Sequence, residues 1–112
     1  MAQEELIIKD PNKLLEQLES LHPSDIARSL KKIEKESTED FFFVLKKIPD
    51  ELLGEVLLEL PDFLREDAYE ELSTQQLTEA VDELDSDDQT DIIQEIEELD
   101  LNKAKEIYDG LE

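Results

Sequence analysis

The sequence predicts an all-α protein, a short-helix superhelix of right or left hand, α-solenoid-like, built on a twelve-residue repeat. Cut every twelve residues from Ser37, the chain reads STEDFFFVLKKI, PDELLGEVLLEL, PDFLREDAYEEL, STQQLTEAVDEL and DSDDQTDIIQEI, and an earlier block, HPSDIARSLKKI, starts at His22. Every block opens on residues that start helices. Most apolar residues within a block fall at the spacing of one helix face, and no stretch shows the period-two alternation of a strand.

Position one of the blocks is His22, Ser37, Pro49, Pro61, Ser73 or Asp85, and position two is Pro23, Thr38, Asp50, Asp62, Thr74 or Ser86. Ser, Thr and Asp oxygens accept from the free backbone N–H groups of a first turn, and Pro fits a first turn because its missing N–H is not needed there. Acids follow at once, as in Asp25, Glu39, Asp40, Glu51, Asp87 and Asp88, and complement the positive end of the helix dipole.

The apolar stripe lies at positions five, eight, nine and twelve, the i, i+3, i+4, i+7 pattern of an amphipathic helix. Position five is Ile26, Phe41, Leu53 and Leu77, with Arg65 and Gln89 as exceptions. Val56, Leu57, Leu60, Ala80, Val81, Leu84, Ile92 and Ile93 are the expected centre of the core. Each block predicts a helix of roughly eight to ten residues, too short to persist alone in water, so its stripe must pack on neighbours. The polar spacer Glu34, Lys35, Glu36 separates the first two blocks. Flanking helices are expected near residues 11–21 and 102–110. One helical domain over residues 11–110 therefore follows a flexible N-terminal segment, residues 1–10, and the last two residues are expected to be loose.

Charge bounds the function. The chain has 112 residues, 33 acids and 11 bases, for a net charge of -22. Residues 1–47 hold ten acids and eight bases, whereas residues 48–102 hold twenty acids and one base, Arg65. Nucleic acid and anionic membrane surfaces would be repelled, and cations or basic partner surfaces attracted. There is no cysteine, which excludes disulfides and thiolate metal sites. No apolar run reaches the roughly 18–20 residues of a membrane helix, so no direct membrane insertion is expected, and the first ten residues do not read as a signal peptide.

Enzyme chemistry finds little support. The one histidine, His22, precedes Pro23 at a helix start, where a capping or turn role is expected. No glycine-rich phosphate loop or nucleophile motif is present. The segment DSDDQTDIIQEI loosely imitates the start of a calcium loop, but Thr90 stands where the sharp turn needs Gly and Ile96 where the loop needs Glu. In the run Phe41, Phe42, Phe43, Phe41 is expected in the core and the other two beneath an adjoining helix or the N-terminal segment, with a docking patch as the functional alternative.

Positions three, seven and eleven form an acidic stripe. They read Glu51, Glu55, Glu59 in one block and Asp87, Asp91, Glu95 in another, with Asp67, Glu71, Glu79 and Glu83 between. Like charges at i, i+4 on an exposed face cost roughly 0.2–0.5 kcal/mol a pair. A divalent cation would offset that cost, and carboxylates are suitable hard ligands for Mg²⁺, which keeps waters and needs only one or two of them. A solvated acidic face that keeps the protein soluble reads equally well from the residues alone.

The order LHPSDIARSLKKI, then IPDELLGEVLLELPDFLREDAYEELSTQQLTEAVDELDSDDQTDIIQEI, resembles the N-terminal cytosolic domain of MgtE-family magnesium transporters over residues 11–110 or so. The resemblance implies a Mg²⁺-sensing regulatory domain of a homodimeric transporter or channel, on the cytoplasmic face of the bacterial inner membrane. In that family Mg²⁺ bridges acidic surfaces of this domain and of the CBS domains that follow it in the same chain, and the pore closes. It further implies metal ligands at Asp87, Asp91 and Glu55, with Asp88 able to substitute for a neighbour, and a longer parent chain. The helical N-terminal and middle regions of the flagellar motor switch protein FliG are similar in flavour, which implies instead a metal-free scaffold or protein-interaction module.

Overall fold

In the computed structural model, which describes residues 7–111, the chain folds into α1 (Pro11–Gln17), a 3-10 turn (Leu18–Ser20), α2 (Pro23–Glu36), α3 (Thr38–Leu45), α4 (Asp50–Glu59), α5 (Asp62–Glu71), α6 (Thr74–Asp82), α7 (Ser86–Leu99) and α8 (Leu101–Gly110). Among the described residues there is no strand. The first residues of α3 to α7 are Thr38, Asp50, Asp62, Thr74 and Ser86. Each of those helices thus starts at position two of a block, and position one is its N-cap.

The caps explain the starts. His22 Nδ1 accepts from the Ser24 N–H at 3.2 Å, which gives the one histidine a helix-start role. Ser37 Oγ accepts from Asp40 N–H, and Ser73 forms a reciprocal capping box with Gln76. Pro49 and Pro61 sit at the N-cap itself, one position earlier than a first-turn proline, and supply no side-chain acceptor. Their helices instead carry Asp50, Glu51 and Asp62 in the first turn, against the exposed N–H groups.

Two helices exceed the expected eight to ten residues, since α2 and α7 both have 14. The residues Glu34, Lys35 and Glu36 do not act as a spacer. They are good helix formers, and α2 runs through them until Ser37 turns extended and caps α3. In the same way Glu97, Glu98 and Leu99 extend α7 until Asp100 caps α8.

The two position-five exceptions share a use. Arg65 Nε donates to Leu60 O at 3.1 Å, and the Gln89 amide donates to Leu84 O at 3.0 Å. Each reaches back across the turn to a carbonyl that the preceding helix leaves without an intrahelical donor. A polar residue at this point of the stripe therefore ties two helices together.

The helices pack in two rows. α2, α4, α6 and α8 contact in that order, α1, α3, α5 and α7 form the second row, and α2 with α3 and α7 with α8 join the rows. The molecule measures 45 × 26 × 22 Å. Val56, Leu57, Leu60, Ala80, Val81, Leu84 and Ile92 are buried, and Ile93 is only half-buried against the core. Close contact of α4 with α6 depends on Gly54, since a Cβ there would lie 2.7 Å from Ala80 O and 2.9 Å from Leu84 Cγ.

Of the segments expected to be loose, residues 1–6 and 112 lie outside the described residues. Ile8 is tied down, because its N–H donates to the fully buried Ser29 Oγ at 2.9 Å. Phe41 is buried and Phe42 packs against the core, but Phe43 is not covered as expected. It is 43% exposed, and the Lys47 ammonium stands 5.2 Å from its ring centroid.

Candidate functional site

The second half of the molecule presents its acids outward. Asp87 lies in the first turn of α7 and Asp91 one turn further on, and both are exposed. Glu55 is exposed on α4, with Glu51 and Glu59 of the same stripe. Among the described residues no ion pair involves Asp87, Asp91 or Glu55. Helical spacing brings Asp87 and Asp91 onto one edge. Glu55 is on a different helix, α4, which packs chiefly on α2 and α6. Among the described residues no group of three or more His, Cys, Asp or Glu is arranged to hold a metal ion. The edge can therefore offer one or two carboxylates to a hydrated cation, with any further ligands supplied from outside.

The third member of the α7 stripe behaves differently. Glu95 accepts from Arg65 at 3.0 and 2.8 Å and from the Tyr69 hydroxyl at 2.7 Å. Burial works against the Arg65 charge, but Glu95 and Tyr69 together outweigh it and hold the guanidinium above its ordinary pKa. Burial, and then the bond to Glu95, push the Tyr69 hydroxyl well up, so Tyr69 is a permanent donor. The stripe in the sequence thus counts three acids, of which Glu95 is already bound to an internal cation. Its signal was present in the sequence: Arg65 is the one base of residues 48–102 and stands at a position that is apolar in four of the six blocks. Beside this network α5 and α7 line a cavity of about 250 Å³, with Asp62, Glu66, Glu98 and Leu99 on its wall.

Two further features escape sequence reasoning because they join distant helices. Lys103 of α8 donates to Tyr69 O at 2.7 Å and Leu72 O at 2.8 Å, and so caps the end of α5. Asp50, at the start of α4, has its carboxyl pKa raised, first by burial and then by the facing Glu79, with Glu51 and Glu83 adding to it. Acid crowding there costs free energy in the folded state.

A profile of the family described as the MgtE intracellular N domain matches residues 21–112. The chain belongs to this family. No curated protein and no solved structure matches it. As an MgtE N domain it is the N-terminal part of a magnesium transporter, in a family of transporter regulatory domains and not of known enzymes. No helix among the described residues is long and apolar enough to cross a membrane.

Proposed function

We propose that this MgtE N domain is the Mg²⁺-responsive regulatory arm of a homodimeric magnesium transporter, lying on the cytoplasmic face of the bacterial inner membrane. Mg²⁺ draws its acidic face onto the CBS domains of the same chain and so favours the closed pore. The two rows of helices form the superhelix that carries this face.

The observation that supports this most is the pair Asp87 and Asp91, exposed one turn apart on α7 with no ion pair among the described residues. Their mutual repulsion is unrelieved within this chain, and a divalent cation relieves it. The donor set suits Mg²⁺, since two carboxylate oxygens and retained waters fill much of an octahedral shell. Asp87 and Asp91 would hold the ion, and Glu55, away on α4, would serve a second one. A metal shared between two acidic surfaces shifts their equilibrium only through its tighter binding to the joined state, so the isolated domain should bind Mg²⁺ weakly.

The test is a Mg²⁺ titration in a chain that includes the CBS domains, read as protease protection of the link between them and this domain. Asp87→Ala with Asp91→Ala should flatten the Mg²⁺ response, and Lys31→Ala should leave it intact. A double variant whose response equals wild type would return Asp87 and Asp91 to the status of a solvated face.

A further inference from the structure

Asp87, Asp91 and Glu95 follow one another at single-turn spacing on α7, but their surroundings differ. Asp87 and Asp91 are exposed and have no ion pair among the described residues. Glu95 is held by two side chains of α5. Arg65 Nη1 donates to both of its carboxylate oxygens, at 3.0 and 2.8 Å, and the Tyr69 hydroxyl donates to Oε1 at 2.7 Å. The grip is fixed from behind. Arg65 Nε donates to Leu60 O at 3.1 Å, and the Tyr69 ring is buried in the core. The Glu95 side chain is 39% exposed, so its carboxylate has a way out to the edge from which it is held back.

An ion at that edge responds to the number of carboxylates it can reach. Mg²⁺ holds to octahedral geometry, gives up water reluctantly and takes one or two protein carboxylates. Ca²⁺ takes about six to eight oxygens in a flexible geometry, so it gains more from each further carboxylate. Residues four apart on a helix are neighbours, with Cβ atoms about 5–6 Å apart. A released Glu95 would flank Asp91 on one side as Asp87 does on the other, and Ca²⁺ at Asp91 can draw on both.

We propose that Arg65 and Tyr69 are specificity-determining residues, which limit the α7 edge to two carboxylates by holding Glu95 against α5, and so favour Mg²⁺ over Ca²⁺. The inference rests on the reading of Asp87 and Asp91 as Mg²⁺ ligands. Neither Arg65 nor Tyr69 touches the ion, and both act through Glu95. The placement of Arg65 supports this. It is the one base among the twenty acids of residues 48–102, and its side chain is only 17% exposed. A base that merely screened an acidic surface would stand in solvent. This one is turned inward, onto the stripe position that would otherwise add a third carboxylate to the edge. Its other carboxylate neighbour, Asp62, is at 3.7 Å on its own helix.

Amide chemical-shift titrations with MgCl₂ and with CaCl₂, at ionic strength held constant with KCl, test this. They are read at Asp87, Asp91 and their neighbours and reduced to the ratio of the two Kd values. Arg65→Met with Tyr69→Phe releases Glu95. Both ions should then bind more tightly, because negative charge is added, and the ratio should move toward Ca²⁺ on the order of tenfold. Adding Glu95→Gln to that pair keeps the same losses on α5 but removes the third carboxylate, and the ratio should return to that of the wild type. Glu95→Gln alone needs no release and serves if the multiple variants do not fold. It leaves the Arg65 charge uncompensated, so both ions should weaken alike and the ratio should hold. An unchanged ratio on release, a shifted ratio that Glu95→Gln fails to restore, or a ratio moved by Glu95→Gln alone would overturn the inference and leave Asp87 and Asp91 as ligands. An absence of ion-dependent shifts in every one of these proteins would also overturn it. The protease-protection test in the longer chain then decides separately whether Asp87 and Asp91 serve a metal there.

Discussion

Helices α2 and α7 are the same length, 14 residues each, and they hold their places in different ways. α2 buries Ile26, Ala27, Ser29, Leu30 and Ile33 and packs on α3 and α4. It carries three acids and four bases. α7 fully buries only Ile92 and Ile96, packs mainly on α8, and carries six acids and no base. An apolar face anchors α2. The narrower apolar stripe of α7 is supplemented by a polar clamp, in which Arg65 and Tyr69 of α5 grip Glu95. An acidic helix can thus show carboxylates to solvent over its first two turns because its third is neutralised from a neighbour.

Four substitutions test this contrast, and a fifth, on α4, tests the cost of crowded acids. The largest effect is expected from the apolar anchors, since Leu30 and Ile96 are both almost wholly buried. Leu30→Ala and Ile96→Ala should each cost about 2–5 kcal/mol in denaturant unfolding. If Ile96→Ala fell well below that range, α7 would be held by its polar contacts and not by its stripe.

The polar clamp should come next. Arg65→Met removes both bonds to Glu95 and the tie to Leu60 O, and should cost about 1–3 kcal/mol. The matched change on α2 is Arg28→Met, which breaks a pair with Asp25 one turn away on the same helix. Such a local, partly exposed pair is worth about 0–1 kcal/mol. Equal losses at the two arginines, measured by the same unfolding experiment, would remove the distinction drawn between α2 and α7.

The smallest effect concerns crowded acids on α4. The Asp50 carboxyl is held above its usual range, by burial first and Glu79 second, so its ionised form is disfavoured in the folded protein. A raised folded pKa gives stability that is full below the unfolded value and lost as pH rises through the folded one. Asp50→Asn should therefore raise the melting temperature slightly at pH 7. The gain should shrink as the pH falls through the folded value of Asp50 and vanish below its ordinary value of 3.8, where both states are protonated. A gain that persisted at low pH would place its origin in the helix cap and not in charge.

The helices and their starts were legible because they are local. Ser37, Ser73 and Asp100 cap by their own side chains within three residues, and a stripe at positions five, eight, nine and twelve points inward wherever the helix is laid. The lengths of α2 and α7 exceed the expectation because a polar helix former can extend a helix past its block: Glu34 to Glu36 look like a spacer until their backbone is seen, and Glu97 to Leu99 lie beyond the last block. The exposed carboxylates Asp87, Asp91 and Glu55 were legible as a charge pattern, since nothing in the sequence near them is basic.

By itself the sequence determined an all-helical chain, its cap positions, its buried face and an acid-rich second half, all of which depend on residues less than a turn or two apart. Only the tertiary structure decided which acids remain available. Glu95 is taken by Arg65, 30 residues away, Glu71 by Lys46, and Asp50 is crowded by Glu79. It also decided that Phe43 stays exposed and that Lys103 closes α5. Such pairings depend on how the rows stack, and the energy of a charge is set by the groups brought within a few ångströms of it, whatever their separation along the chain.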